Sequence, residues 1–315
     1  MKIVFFGTPE FGADILKNLI GTKYQPSLIV TNPDKPAGRD KKITESPVSE
    51  LAKEHKIPVL KPKHIKEIQG NLEKIKPDLM IVAAYGKFLP IEMIELPGYK
   101  TLNVHPSLLP KYRGSSPIQY AILNGDKKTG VTIMLINEEM DKGDILSKKE
   151  VTLKNEIYPE LSKKLSDVGS DLLKETIPKW IKGGIKPQKQ NEKEAVYTKI
   201  LDKYDGKIDW KQPAKQIERQ VRAFNPWPGT YAYFISKKTN KETLIKVIEA
   251  DILEQTEAGP FGLPGKVYMA PNSNLAVQTG KDFLVIKRLQ IEGKNPIATK
   301  DYLQGNIDLI GIILI

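Results

Sequence analysis

Residues 2–12, KIVFFGTPEFG, decide how the chain is read. A short β-branched and aromatic run stops at Gly7, after which Phe11, Ile15, Leu16 and Leu19 recur at helical spacing through Ile20. Strand, turn and helix therefore follow one another. Working outward, SLIVT (residues 27–31) reads as a second strand, Val48–Lys56 as a helix and IPVL (57–60) as a short extended piece. This βαβ order predicts a doubly wound, mostly parallel α/β sheet with helices on both faces. DLMIVAAY (78–85) has the near-continuous apolar character of a central parallel strand and is broken by Gly86. TLNVH (101–105), Val131–Ile136 and Asp144–Val151 read as further strands, with helices at Ser116–Asn124 and Tyr158–Ile181.

After Gly183 and Gly184 the pattern changes. Residues 185–204 are polar, Lys-rich and without strong periodicity, as a linker is. A short helix at Ala214–Ala223 precedes strand-like runs at Thr230–Ile235, Thr243–Ile248, Gly265–Tyr268, Leu275–Gln278 and Phe283–Ile291. Short strands between turn signals predict a small OB-like β-barrel. The expected division is thus a Rossmann-like domain at 1–184, a linker at 185–204 and a barrel domain at 205–315. The apolar end LIGIILI, from Leu309, is expected to close or pack against the barrel.

A length of 315 residues suits two domains, and 40% hydrophobic with 28% charged residues is ordinary globular usage. The absence of cysteine excludes disulfides, thiolate catalysis, Fe–S ligation and cysteine zinc sites. No ligand cluster points to a metal cofactor. The apolar run at the start is too short for a secretory signal or a membrane span, so a cytoplasmic protein is expected, without membrane attachment. No sustained heptad is present, which favours a monomer. The net charge of +11 suits a polyanionic partner such as nucleic acid. It is spread along the chain, with 29 basic and 23 acidic side chains up to residue 183 and 20 and 15 beyond.

GTPEFG (7–12) lacks the middle glycine of a dinucleotide loop, and its plain role is to pack strand against helix. Richer chemistry lies in TLNVHPSLLPKYRGSSPIQ (101–119) followed by MDKGDIL from Met140. Asn103 and His105 are two apart at the end of one strand, so both face the same way at the carboxyl edge where open α/β sheets bind ligands. His55 and His64 lie in polar stretches and are expected to be solvated. An amide, an imidazole and the Asp141 carboxylate together suit acyl transfer to an amine without a covalent enzyme intermediate. Asn103 and a protonated His105 would donate to the oxyanion of a tetrahedral intermediate, and Asp141 would accept a proton from the attacking ammonium. A hydrolase triad through Ser107 fits worse, since no G-x-S-x-G elbow surrounds it.

NVH, SLLPKYRG and MDKGD together closely resemble the signature of formyltransferases that use 10-formyltetrahydrofolate as formyl donor. GTPEFG, TNPDKPAGRDKKITESPV (31–48) and RAFNPWPGTY (222–231) are similar, in both domains, to the methionyl-tRNA formyltransferases. The resemblance implies transfer of a formyl group to the α-amino group of methionyl initiator tRNA for translation initiation. It makes Asn103, His105 and Asp141 the catalytic trio, and Ser107, Leu108, Leu109 and Pro110 the lining of the folate site. The family usually carries a small residue after the histidine, where this chain has Pro106. The long loop 31–48, nearly charge-balanced, is implied to reach the tRNA acceptor end with Arg39, Lys41 and Lys42. The barrel would offer Lys207, Lys211, Lys237, Lys238 and Lys241 to the stem, while Trp227 between two prolines reads as a rigid structural corner. A formyltransferase acting on an amino-sugar nucleotide and a non-catalytic RNA-binding protein stay open as alternatives.

Overall fold

The computed structural model describes residues 1–37, 42–236, 240–254, 262–270 and 273–315. The chain divides into two compact units, one of Met1–Ile118, Lys127–Lys154 and Glu160–Lys199, the other of Gln119–Asp126, Asn155–Pro159 and Ile200–Ile315.

In chain order the elements up to residue 199 are β1 (Ile3–Gly7), α1 (Glu10–Leu19), β2 (Leu28–Val30), β3 (Lys35–Ala37), β4 (Lys42–Thr44), α2 (Pro47–Glu54), β5 (Val59–Leu60), α3 (Gln69–Ile75), β6 (Leu79–Ala83), α4 (Ile91–Ile94), β7 (Thr101–His105), β8 (Arg113–Gly114), α5 (Pro117–Leu123), β9 (Lys128–Leu135), β10 (Ile145–Thr152), α6 (Tyr158–Ile181) and β11 (Tyr197–Thr198). They lie mainly in the first unit, while most of α5 belongs to the second. Seven strands form one sheet in the order β10-β9-β7-β6-β1-β2-β5. The five from β5 to β7 run parallel, while β9 and β10 are antiparallel additions. From β1 the chain steps outward to β2 and β5, then returns to β6 on the other side of β1. The carboxyl ends of β1 and β6 therefore flank the point where strand order reverses, where open sheets take ligands.

Every residue of β1 and β6 is buried, as strands covered on both faces must be. Val4, Phe6, Met80 and Val82 pack with Ile68, Leu72, Met93 and Ile94 of the α3 and α4 region on one face. On the other face Val104 and Val131 pack at Gly169 of α6, and α6 lies beside α1, Ser166 Oγ donating to Asp14 Oδ2 at 3.1 Å. A Cβ at Gly12 would stand 2.7 Å from the Ala83 carbonyl oxygen. Glycine there lets α1 cross closely over β6, so GTPEFG serves the packing role read for it.

The stretch 31–48 is more than a connection. β3 and β4 pair antiparallel within it, and the acidic residues at its base are engaged by Lys61, which meets Asp34 Oδ1 at 2.6 Å and Glu45 Oε2 at 3.1 Å. Contacts from Lys53, Ser49 and Lys61, in that order, hold the Glu45 carboxyl down at about 2. α3 and α4 carry no clear sequence period because each buries only one or two residues.

The second unit holds α7 (Ala214–Ala223), β12 (Thr230–Ile235), β13 (Glu242–Leu253), β14 (Val267–Ala270), β15 (Asn274–Gln278), β16 (Phe283–Ile291), β17 (Ile297–Ala298) and α8 (Thr299–Leu303). Its antiparallel sheet runs β12-β13-β16-β15-β14, with β17 on β16. Bulges at Val247/Glu249 and Glu249/Ala250 break the register of the long β13 with β16, the kind of irregularity that curls a sheet. Curling buries Ile245, Val247, Leu284, Ile286 and Leu289 against Ile217 and Val221 of α7. The expected barrel is a curled sheet whose outer edges are joined by the chain end. Gly311 and Leu314 N–H donate to the carbonyls of Val267 and Gly265, while Ile315 and Tyr233 exchange a pair of backbone bonds at 2.8 and 2.7 Å. LIGIILI thus closes the barrel as read.

Among the described residues no helix is long and apolar enough to cross a membrane. Leu314 is 2% exposed within the second core, so Leu314→Ala should lower unfolding free energy by about 2–5 kcal/mol in chemical denaturation; a loss under about 1 kcal/mol would remove the closing role. Glu45 should titrate near 2 by NMR rather than near the ordinary 4.5. Its folded value is depressed, so its stabilisation is complete above the ordinary value and is lost as pH falls through about 2. A midpoint near 4.5 would contradict the anchored hairpin base.

Candidate active site

Asn103 is in register with Val82 on β6 and Met134 on β9, so it shares their face of the sheet, and the period of two brings His105 to that face as well. β7 then turns sharply. Ser107 N–H donates to the His105 carbonyl at 2.9 Å, a three-residue turn centred on Pro106 whose fixed φ suits it. Thr132, opposite His105 on β9, ties the following loop down. Its Oγ1 donates to the Ser107 carbonyl at 2.7 Å and accepts from Leu109 N–H at 3.1 Å. The loop returns the Tyr112 carbonyl to within 2.9 Å of His105 Nε2. A carbonyl only accepts, so Nε2 carries a proton and Nδ1 is the nitrogen left to face the site.

Nδ1 faces Asp141, whose Oδ1 lies 3.7 Å away. Asn103 Nδ2 lies 3.5 Å from that same oxygen. Two side-chain nitrogens from one strand edge, Asn103 Nδ2 and His105 Nδ1, therefore converge on a single carboxylate oxygen. The other carboxylate oxygen, Oδ2, accepts the Gly114 N–H at 2.8 Å. Asp141 sits at φ +53, a left-handed conformation that Asp tolerates better than most residues. Two residues on, a Cβ at Gly143 would stand 1.8 Å from the Leu135 carbonyl oxygen, so only glycine lets this turn press against the end of β9.

The SLLP segment is mostly framework in this chain. Ser107 is fully buried, its Oγ donating to the Lys111 carbonyl at 2.6 Å. Leu109 is fully buried with Met134 and Ile145, and Lys148 caps its carbonyl. Leu108 is half-buried and packs against Gly130, and the Pro110 carbonyl accepts Val196 N–H at 3.3 Å.

The residue that sequence reading passed over is Arg113, fully buried in YRG. Its five N–H groups make five bonds. Nε and Nη2 donate to Gln190 Oε1 at 3.0 and 2.9 Å, Nη1 and Nη2 to the Glu192 carboxylate at 2.9 and 2.7 Å, and Nη1 to Tyr197 Oη at 2.9 Å. The Glu192 contact, followed by Tyr197, raises the guanidinium above its ordinary value against the opposing effect of burial, and Arg113 in turn holds the Glu192 carboxyl low. Gln190, Glu192 and Tyr197 come from the stretch read as linker. Residues 188–198 are stitched to the first unit by a bridge between Gln188 and Ile145 and by pairing of β11 with β8. A polar stretch without periodicity gave no signal of this.

Of the residues expected to meet tRNA, Lys42 is exposed on β4; Arg39 and Lys41 lie outside the described residues, as do Lys237 and Lys238. Lys207 stands 5.7 Å from the Tyr233 ring centroid. Trp227, read as a rigid core corner, is instead 51% exposed, in the turn that leads into β12. His55 and His64 are exposed, as expected.

The formyl transferase family model matches residues 1–177, and the model of the formyl transferase C-terminal domain matches residues 200–306. The methionyl-tRNA formyltransferase of Caldanaerobacter subterraneus subsp. tengcongensis is 40% identical over 318 residues, covering 100% of both chains. That of Sulfurihydrogenibium sp. is 41% identical, covering 97% of each. Among solved structures, HypX from Aquifex aeolicus in complex with tetrahydrofolic acid aligns at TM-score 0.63 and 20% identity, over 96% of this chain and 47% of that longer one. An N-formyltransferase from Helicobacter canadensis, in complex with folinic acid and dTDP-3-aminofucose, aligns at TM-score 0.63 and 18% identity, over 91% and 98%. With both units matched in order and full-length relatives at this identity, the chain belongs to the methionyl-tRNA formyltransferase family.

Proposed function

We propose that this protein transfers the formyl group of 10-formyltetrahydrofolate to the α-amino group of methionyl initiator tRNA, giving formylmethionyl-tRNA and tetrahydrofolate. The observation that carries this reading is similarity at 40% identity across the whole of both chains to a methionyl-tRNA formyltransferase. The sugar-directed structural neighbour shares the fold at 18% identity.

The site residues suit a formyl donor, because two N–H groups face one acceptor position. Asn103 Nδ2 and, in the doubly protonated ring, His105 Nδ1 donate to the formyl oxygen as negative charge grows on it. Each preorganised donor of this kind contributes on the order of 3 kcal/mol. Asp141 Oδ1, beside these two donors, takes the proton of the incoming ammonium. Asp141 keeps its place while doing so because Oδ2 is held independently by Gly114 N–H. Ser107, Leu108, Leu109 and Pro110 line the folate site, chiefly by fixing the loop. Arg39, Lys41 and Lys42, from the sequence stretch 31–48, meet phosphates at the acceptor end. That stretch is free to do so as a basic element, since Asp34 and Glu45 are engaged by Lys61. The protein works in the cytoplasm as a monomer.

Incubated with 10-formyltetrahydrofolate, the protein should formylate methionyl initiator tRNA and leave methionyl elongator tRNA unmodified, read as formylmethionine after deacylation. Formylation of an amino-sugar nucleotide with none on tRNA would overturn the assignment. Lys42→Ala should weaken tRNA binding and reduce the slope of log affinity against log salt by about 0.7, the share of a single phosphate contact. An unchanged slope would remove Lys42 from the interface.

A further inference from the structure

The Gln190 side chain has every hydrogen-bonding position filled, and its partners lie on the two sides of the candidate active site's carboxylate loop. Its Oε1 accepts from Arg113 Nε and Nη2, and its Nε2 donates to the Asp141 carbonyl at 2.7 Å and to the Gly143 carbonyl at 2.8 Å. The amide cannot be reversed, since that would set N–H against guanidinium and oxygen against two carbonyls. Arg113, with no exposure and five satisfied donors, fixes one end of the amide. The fixed amide then clamps the first and third residues of the turn that carries Asp141 at φ +53. The residue next to Arg113 supplies the N–H that holds Asp141 Oδ2. Backbone and side chain of Asp141 are therefore both referenced to one buried guanidinium.

We propose that Gln190, locked between Arg113 and the Asp141–Gly143 turn, is a positioning residue that aims the Asp141 carboxylate for formyl transfer. The proposal rests on the reading of Asp141 as proton acceptor. Gln190 touches neither substrate, so its contribution appears in turnover and not in binding. Misplacing a reacting group by about 1 Å can cost on the order of 100-fold in rate.

The experiment compares full-length wild type, Gln190→Ala, Gln190→Glu, Asp141→Asn and the double variant Asp141→Asn/Gln190→Ala in steady-state formylation of methionyl initiator tRNA. Gln190→Ala should lower kcat by about 10- to 100-fold and leave KM for folate and for tRNA within about threefold. Gln190→Glu keeps oxygens for Arg113 but has no N–H for the two carbonyls. It should lose as much as Gln190→Ala, which also covers the case in which the alanine variant folds poorly. The double variant should be no slower than Asp141→Asn, because Gln190 acts only through that carboxylate. A near-normal kcat in either Gln190 variant overturns the proposal, as does a multiplicative loss in the double variant. A wild-type rate in Asp141→Asn instead removes the reading of the site itself, and the proposal with it.

Discussion

A single carboxylate, divided between two tasks, organises this site. Asp141 Oδ2 is spent on a backbone N–H, and Oδ1 is left opposite Asn103 and His105. A carboxylate free to rotate would exchange those roles, so the arrangement depends on the turn that presents it. That turn is a left-handed aspartate followed by a glycine with no room for a side chain. The sheet supplies the facing half, because the alternation of β7 puts amide and imidazole on one face beside the reversal of strand order.

Burying a guanidinium is costly unless its donors are satisfied. Arg113 satisfies that condition by drawing in residues 188–198, so a segment of low intrinsic structure becomes ordered around it. The same bonds that offset the desolvation of Arg113 fix the loop bearing Asp141. Stability of the site and accuracy of its geometry therefore share one set of contacts, and a residue distant from Asp141 in sequence becomes part of its alignment.

The fold was legible wherever burial is periodic. α6, α7, β12 and β16 fall on the residues their patterns indicate, because each turns a regular apolar face to a core. The direction of β9 and β10 was not legible, since an apolar run reads alike in parallel and antiparallel pairing. β3 and β4 were hidden in a loop composition. Asn103 and His105 could be singled out because polar groups at an apolar strand end are conspicuous, whereas Asp141, in a polar loop, stood out chiefly through the resemblance of MDKGD. Gln190 could not, because its importance comes from Arg113, 77 residues earlier, and a polar residue in a polar stretch carries no local mark.

The central claim is that the donors on β7 act on the reacting group, and His105 tests it most directly. The measurement is the single-turnover rate of formyl transfer by His105→Ala at saturating 10-formyltetrahydrofolate and methionyl initiator tRNA, with binding of each followed separately. The account predicts a rate lower by about 10²–10⁴-fold with both substrates still bound. A rate within a few-fold of wild type would contradict it.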